Sequence, residues 1–285
     1  MTTAAPTPSH APPELIIEAG RAEGQYWRDL WRYRELFYFL AWRDILVRYK
    51  QTTIGVLWAL IRPLLTMLVF TAFASRIAGL KSVIPYALLV ISAQLPWQFF
   101  ATALSEASNS LIGNANLISK VYFPRLIVPA GAVITSGVDF LVSFAILLGV
   151  MAWYRFLPGW QFLTLPLWSV WAFVAALGPG LYITALNVKY RDFRYVIPFI
   201  VQYGLYVSPV AFSSAVATEK LGIPRALYSL NPVVGVIDGF RWAVGRGSEP
   251  LYGPGLAVSA AMTLFFLWLG VSYFRKVERT FADVI

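Results

Sequence analysis

Residues 126–152 read LIVPAGAVITSGVDFLVSFAILLGVMA, and one side chain in that run, Asp139, carries charge. About 20 apolar residues cross a bilayer as a helix, which satisfies its own backbone hydrogen bonds where no water can. Five further apolar segments lie near 54–75, 83–104, 160–186, 194–213 and 254–274. The expected fold is therefore all-α: a polytopic membrane protein with six transmembrane helices. Composition points the same way. The chain has 285 residues, 58% hydrophobic and 13% charged, against about 45–50% and about 25% in a soluble domain. Its mean hydropathy is +0.64. Disorder, collagen and coiled coil are excluded as its main character, and six or seven spans leave little room for a soluble domain. Pro63, Pro96, Pro198, Pro209 and the run Gly178-Pro179-Gly180 fall inside spans. Proline is tolerated there where neighbours re-satisfy the freed carbonyls, and kinks are expected.

The net charge of +9 reads as orientation, not as a nucleic-acid signature. With the N-terminus inside, the inner segments hold Arg21, Arg28, Arg32, Arg34, Arg43, Arg48, Lys50, Lys120, Arg125, Lys189, Arg191, Arg194, Arg275, Lys276 and Arg279. The outer segments hold Arg76, Lys81, Arg155, Lys220, Arg225, Arg241 and Arg246, and Arg62 lies in the first span. The excess of Lys and Arg on one side places both termini in the cytoplasm. Residues 1–25 lack the apolar core of a cleavable signal peptide and read as a mobile tail.

Residues 26–50 read YWRDLWRYRELFYFLAWRDILVRYK. On a helix, Trp27, Trp31, Tyr38, Trp42, Ile45 and Tyr49 form one stripe, and Arg28, Arg32, Glu35, Arg43 and Lys50 form a second. Phe39 and Leu46 interrupt the polar stripe. The pattern suits an amphipathic interface helix in the headgroup region, or a surface helix packed on its own protein. The loop 214–253 is partly apolar and too short to span. It reads as two short helices broken at Asn231-Pro232, where the residue before proline leaves the helical region. Either a re-entrant element or a further surface helix fits it.

Several chemistries are excluded by absence. There is no cysteine and one histidine, His10, in the tail, so no metal site is expected from those ligands and no Ser-His-Asp relay. Neither glycine-rich nucleotide fingerprint occurs, so no cofactor is expected in this chain and any ATPase must be another polypeptide. Asp139 is the deep carboxylate, open to a proton relay, an interhelical hydrogen bond or a place beside a wet path. Glu106 and Asp192 have no acidic neighbour in sequence, which weakens a glycan-enzyme reading. Aromatics make up 16% of the chain. Interface belts and packing account for many, but Trp58, Tyr86, Trp97, Phe100, Tyr203 and Tyr206 are candidates to line a carbohydrate pathway, because sugar C–H faces stack on aromatic rings. Between spans two and three, Leu117, Ile118, Val121 and Tyr122 share one face of a short helix, of the kind that docks in a partner's groove.

Taken together, Arg48–Gly55 (RYKQTTIG) with Trp58-Ala59 and Pro63, Pro96–Phe100 (PWQFF), Asn116–Arg125 (NLISKVYFPR), Asn187–Phe193 (NVKYRDF), Ser208-Pro209 and Asn231-Pro232 resemble the membrane subunit of ABC-2-type exporters. The likeness is greatest to permeases for O-antigen, capsule and teichoic-acid polysaccharides. The resemblance implies a homodimer with a channel between two six-helix subunits in the bacterial inner membrane, and two cytoplasmic ABC ATPase subunits that hold ATP and Mg. It implies a lipid-linked polysaccharide as substrate, an interface helix at 26–50, a coupling loop at 106–125 and an outer gate at 214–253. The coupling contacts it implies are Asn116, Lys120, Tyr122 and Arg125, supported by Arg48 and Arg191. The alternatives are an ABC-2 exporter of drugs or lipids and an ion-coupled transporter.

Overall fold

A computed structural model describes residues 23–50, 55–73, 84–190 and 192–281. Among the described residues the regular structure is helical, with no strand. Two helices precede the bundle, α1 (Glu23–Arg32) and α2 (Arg34–Lys50), followed by α3 (Gly55–Ala72), α4 (Tyr86–Gly113) and the single turn α5 (Ala115–Ile118). Then come α6 (Ile127–Trp153), a 3-10 turn at Trp160–Thr164 that runs into α7 (Leu165–Lys189), and α8 (Phe193–Val207). The short helices α9 (Ser214–Leu221), α10 (Arg225–Tyr228) and α11 (Pro232–Val244) lead to α12 (Gly253–Val277). Four helical stretches are long and apolar enough to cross a membrane: Tyr86–Gly113, Ile127–Trp153, Trp160–Lys189 and Gly253–Thr280. The first and fifth expected spans correspond to shorter helices, α3 with 18 residues and α8 with 15.

The core is built around α4. It is apolar on nearly every side, and Leu88, Val90, Leu95, Leu104 and Leu111 are buried along its whole length, as expected of a helix enclosed by others. Phe99 sets its ring 5.4 Å from Phe140 of α6 and 4.4 Å from Phe173 of α7. Polar side chains also cross between helices: Thr184 donates to the Ala107 carbonyl at 2.8 Å, and Trp171 Nε1 to Thr263 at 3.0 Å. Where α7 meets α12 the backbones touch. A Cβ on Gly270 would stand 2.1 Å from the Gly178 carbonyl oxygen, and one on Gly178 would stand 2.6 Å from the Leu267 amide nitrogen. Small residues permit such crossings in membranes, where van der Waals contact is a main attraction between helices.

Two expected boundaries shift. The 26–50 helix divides at Tyr33, so that only α1 stands apart as a short amphipathic helix. α2 runs beside the first half of α6, with Leu40 and Ala41 buried and the Thr135 hydroxyl directed at the Ala41 carbonyl. α4 continues to Gly113, so residues 106–113 of the expected coupling loop are its last two turns. Their apolar residues Ala107 and Leu111 extend the helix's buried face, so nothing ends the helix before Gly113.

α8 and α11 share one task. Ile197 of α8 packs at the level of Leu104 of α4, and Leu205 packs at Trp97. Val233 and Ile237 of α11 pack at Ala93 and Trp97, and Arg241 reaches Leu89. α11 therefore covers the α4 turns that lie beyond the end of α8. At the break, the Val207 carbonyl accepts the Tyr228 hydroxyl at 2.7 Å, and Ser208 Oγ accepts Asn231 Nδ2 at 3.0 Å. Asn231 also caps α11 by accepting the Val233 amide at 3.1 Å, with Pro232 in the first turn where it lacks no bond.

Candidate functional site

Two surfaces of the bundle, on α4 and on α8, differ chemically from the rest. Before their last two turns, the exposed positions of α6, α7 and α12 are apolar, among them Ile134, Leu141, Leu148, Leu167, Val170, Leu264 and Phe265. They suit contact with lipid chains. α4, by contrast, leaves Gln98, Thr102, Ser105 and Asn109 incompletely covered. Their spacing of four, three and four residues makes one polar stripe, roughly 120° around α4 from the face that holds α8. The face of α8 opposite α4 carries Tyr195, Phe199, Gln202 and Tyr206, all exposed. Gly204 is what lets α8 approach: a Cβ there would lie 2.5 Å from the Trp97 ring. A surface of amides, hydroxyls and tyrosines is expensive against hydrocarbon and serviceable against water or sugar.

At the Gly113 end, α2 delivers Arg48 and Tyr49 to the bundle. Arg48 Nη1 donates to Asp139 Oδ2 at 2.8 Å, Arg48 Nη2 donates to Glu106, and the Tyr49 hydroxyl donates to the other Asp139 oxygen. Asp139 and Glu106, distant in sequence, thus share one guanidinium. Beside them is a cleft of about 330 Å³ lined by Asp44, Val47, Arg48, Glu106, Ala132 and Thr135. A second linkage ties α1 to both neighbours. Glu278, just past α12, accepts the Tyr26 hydroxyl at 2.9 Å and the Arg125 amide at 2.7 Å. Burial and the Glu278 carboxylate push the Tyr26 phenol above its ordinary value. No group of His, Cys, Asp or Glu suited to a metal ion occurs among the described residues.

The sequence profile of the ABC-2 type transporter family matches residues 35–244, from α2 through α11. The chain belongs to the ABC-2 type transporter family. The chain is 24% identical over 259 residues to the O-antigen export system permease protein RfbA of Myxococcus xanthus, covering 90% of this chain and 98% of that protein. RfbA of Klebsiella pneumoniae is 24% identical over 250 residues, covering 85% and 92%. Its family, its relatives and its helices make this chain a multi-pass membrane permease.

The structure separates the residues expected to line a pathway in this ABC-2 transporter. Tyr203 and Tyr206 are exposed, 50% and 64%. Trp97 is 4% exposed and packs behind them against Gly204 and Phe100. Phe100 is half-buried between α4 and α8. Tyr86 donates its hydroxyl to the Ala211 carbonyl, holding the turn after α8. The Trp58 side chain and Arg191 lie outside the described residues. Of the expected coupling contacts, Asn116, Lys120 and Tyr122 are exposed together. Arg125 turns inward, donating through Nη1 to the Glu278 carbonyl, and Arg48 is engaged with Asp139 and Glu106. The apolar face expected there divides: Ile118 is buried in the bundle, whereas Val121 and Tyr122 point away from it.

Three features escaped the sequence reading. The α4 stripe has a readable helical spacing but is diluted within an apolar span. Arg241 stood among outer-loop charges, although it is fully buried in α11. Glu278 gave no signal, because its partners lie 153 and 252 residues away.

Proposed function

We propose that this permease exports a lipid-linked, O-antigen-like polysaccharide across the bacterial inner membrane, driven by ATP. It acts as a pair of copies, each with six membrane helices counting α3 and α8, joined to two copies of a cytoplasmic ABC ATPase that carry ATP and Mg. Both termini face the cytoplasm. The observation that carries this reading is the exposed α8 face of Tyr195, Phe199, Gln202 and Tyr206 together with the polar α4 stripe, against the apolar outer faces that α6, α7 and α12 present before their last two turns. A glycan needs hydrogen-bonding groups and ring faces along its path, and two such surfaces facing each other enclose one. The relatives named as O-antigen export permeases, matched over nearly their whole length, support the substrate class. In this reading the Asn116–Tyr122 surface receives the ATPase. The α9–α11 segment closes the opposite end, and nucleotide shifts the permease between states because the ATPase binds those states unequally.

The test is reconstitution of the permease with and without the ATPase encoded beside it. The expected outcome is co-purification and ATP hydrolysis stimulated by lipid-linked glycan. Glycan movement that persists with no ATPase present overturns the proposal. The same vesicles separate ATP drive from ion coupling. Asp139 is already engaged by Arg48 and Tyr49, so Asp139→Asn is expected to keep export, whereas an ion relay through it would lose export altogether.

A further inference from the structure

The exposed surface formed by Asn116, Lys120, Val121 and Tyr122 has little structure of its own. α5 is a single turn, and from Ser119 to Leu126 the chain has turns and bends only. Its shape must come from what lies beneath, and that is the end of α12. Phe274 and Phe281 are fully buried, with rings 5.3 Å apart, in one cluster with Ile118, Phe123 and Leu126. Between these two rings in sequence stands Glu278. One of its carboxylate oxygens accepts the Arg125 backbone amide at 2.7 Å and the other accepts the Tyr26 hydroxyl at 2.9 Å. Its own carbonyl accepts Arg125 Nη1, and Arg275 lies 4.8 Å from the Tyr26 ring centroid.

We propose that Glu278 is the positioning residue of this surface: its carboxylate fixes the α5–α6 link to the end of α12 and to α1, so that displacement of the link moves three segments together. An apolar side chain would fill the same space without holding the link in register. The backbone amide of Arg125 would then have no acceptor in a setting that excludes water, which is unfavourable. The role is geometric. A glutamine keeps an oxygen for the Arg125 amide and presents its NH2 to the Tyr26 oxygen, so it should serve nearly as well, whereas alanine should not. The consequence for transport rests on the reading of this surface as the ATPase contact.

The experiment exploits the absence of cysteine from the chain. Ser119→Cys, exposed on the link, carries a spin label in the reconstituted permease–ATPase complex. Glu278→Ala is expected to free the label, seen as a narrowed spectrum, and to reduce glycan-stimulated ATP hydrolysis about tenfold, the factor that corresponds to 1.4 kcal/mol. Glu278→Gln is expected to leave both near the parent values. Tyr26→Phe, which removes one of the two bonds, is expected to loosen the label partially, and it decides the matter if Glu278→Ala does not accumulate in the membrane. Unchanged label mobility in Glu278→Ala or, failing that variant, in Tyr26→Phe overturns the proposal, as does a glutamine variant as loose as the alanine one. A loosened label with unaltered stimulation leaves the positioning intact and overturns the assignment of the surface to the ATPase.

Discussion

Arg241 is a cation fully buried within the protein, and its partners explain why it persists. Nη1 donates to the Phe212 carbonyl at 2.7 Å, Nη2 to Val210 at 2.9 Å and Nε to Leu89 at 3.4 Å. Two of these acceptors belong to the turn after α8, where helical bonding has stopped and carbonyls need donors. The planar fork reaches carbonyls of two separate segments, which a lysine ammonium could not do in the same pose. Arg241→Ala removes at least two well-formed charged hydrogen bonds, each worth about 1.5–3 kcal/mol. Its stability should fall by about 3 kcal/mol or more. Thermal unfolding of the purified protein in detergent, followed by tryptophan fluorescence, measures this, with Arg241→Lys expected between the two. An alanine variant as stable as the parent would show that the turn is held by other groups. None of this was legible in the sequence. Counting charges along the chain places Arg241 between two spans but says nothing of depth, and Asp139 likewise showed its charge without its partner Arg48, 91 residues away.

At the scale of elements, sequence patterns located the long helices well, because α4, α6, α7 and α12 are continuous apolar runs that no competing structure accommodates in a bilayer. They located the breaks less well. The junction at Asn231-Pro232 was readable from proline geometry and side-chain capping. The division at Tyr33 was not: an unbroken helical pattern covers it, and helical bonding runs across it, Tyr33 donating its amide to the Asp29 carbonyl at 2.9 Å and accepting the Phe37 amide at 3.1 Å. The contact between α7 and α12 was half visible, as the run Gly178-Pro179-Gly180 without its counterpart Gly270. Gly270→Ala puts a methyl group 2.1 Å from a backbone oxygen, where no flexible side chain can yield. The two helices must separate, and overpacking of this kind costs about 1–3 kcal/mol or more. Gly149→Ala in α6 meets no atom within 4 Å and removes a helix-interior glycine, which should gain up to about 1 kcal/mol. Opposite shifts in melting temperature for these two variants are the expected result. Equal shifts would show that glycine acts there through the unfolded chain and not through the crossing.

At the scale of the whole molecule, a single copy has an unequal surface, largely apolar on α6, α7 and α12 and more polar on α4 and α8. The proposed two-fold pairing would set the α8 face of each copy toward its counterpart across the axis. In such an arrangement a residue near the axis meets its own counterpart, so one substitution suffices to detect it. In the naturally cysteine-free chain, Gln202→Cys on the exposed α8 face should be joined between copies by a short bis-maleimide in native membranes, giving a band of doubled mass on denaturing gels. Leu148→Cys on α6 and Leu264→Cys on α12 are as open to solvent-sized probes but should remain single, since their faces look into lipid. Cross-linking from α6 or α12 in preference to α8 would put the pairing surface on the wrong side. The polar stripe of Gln98, Thr102, Ser105 and Asn109 would then lie outside any shared channel, and the glycan path would have to run through one copy alone.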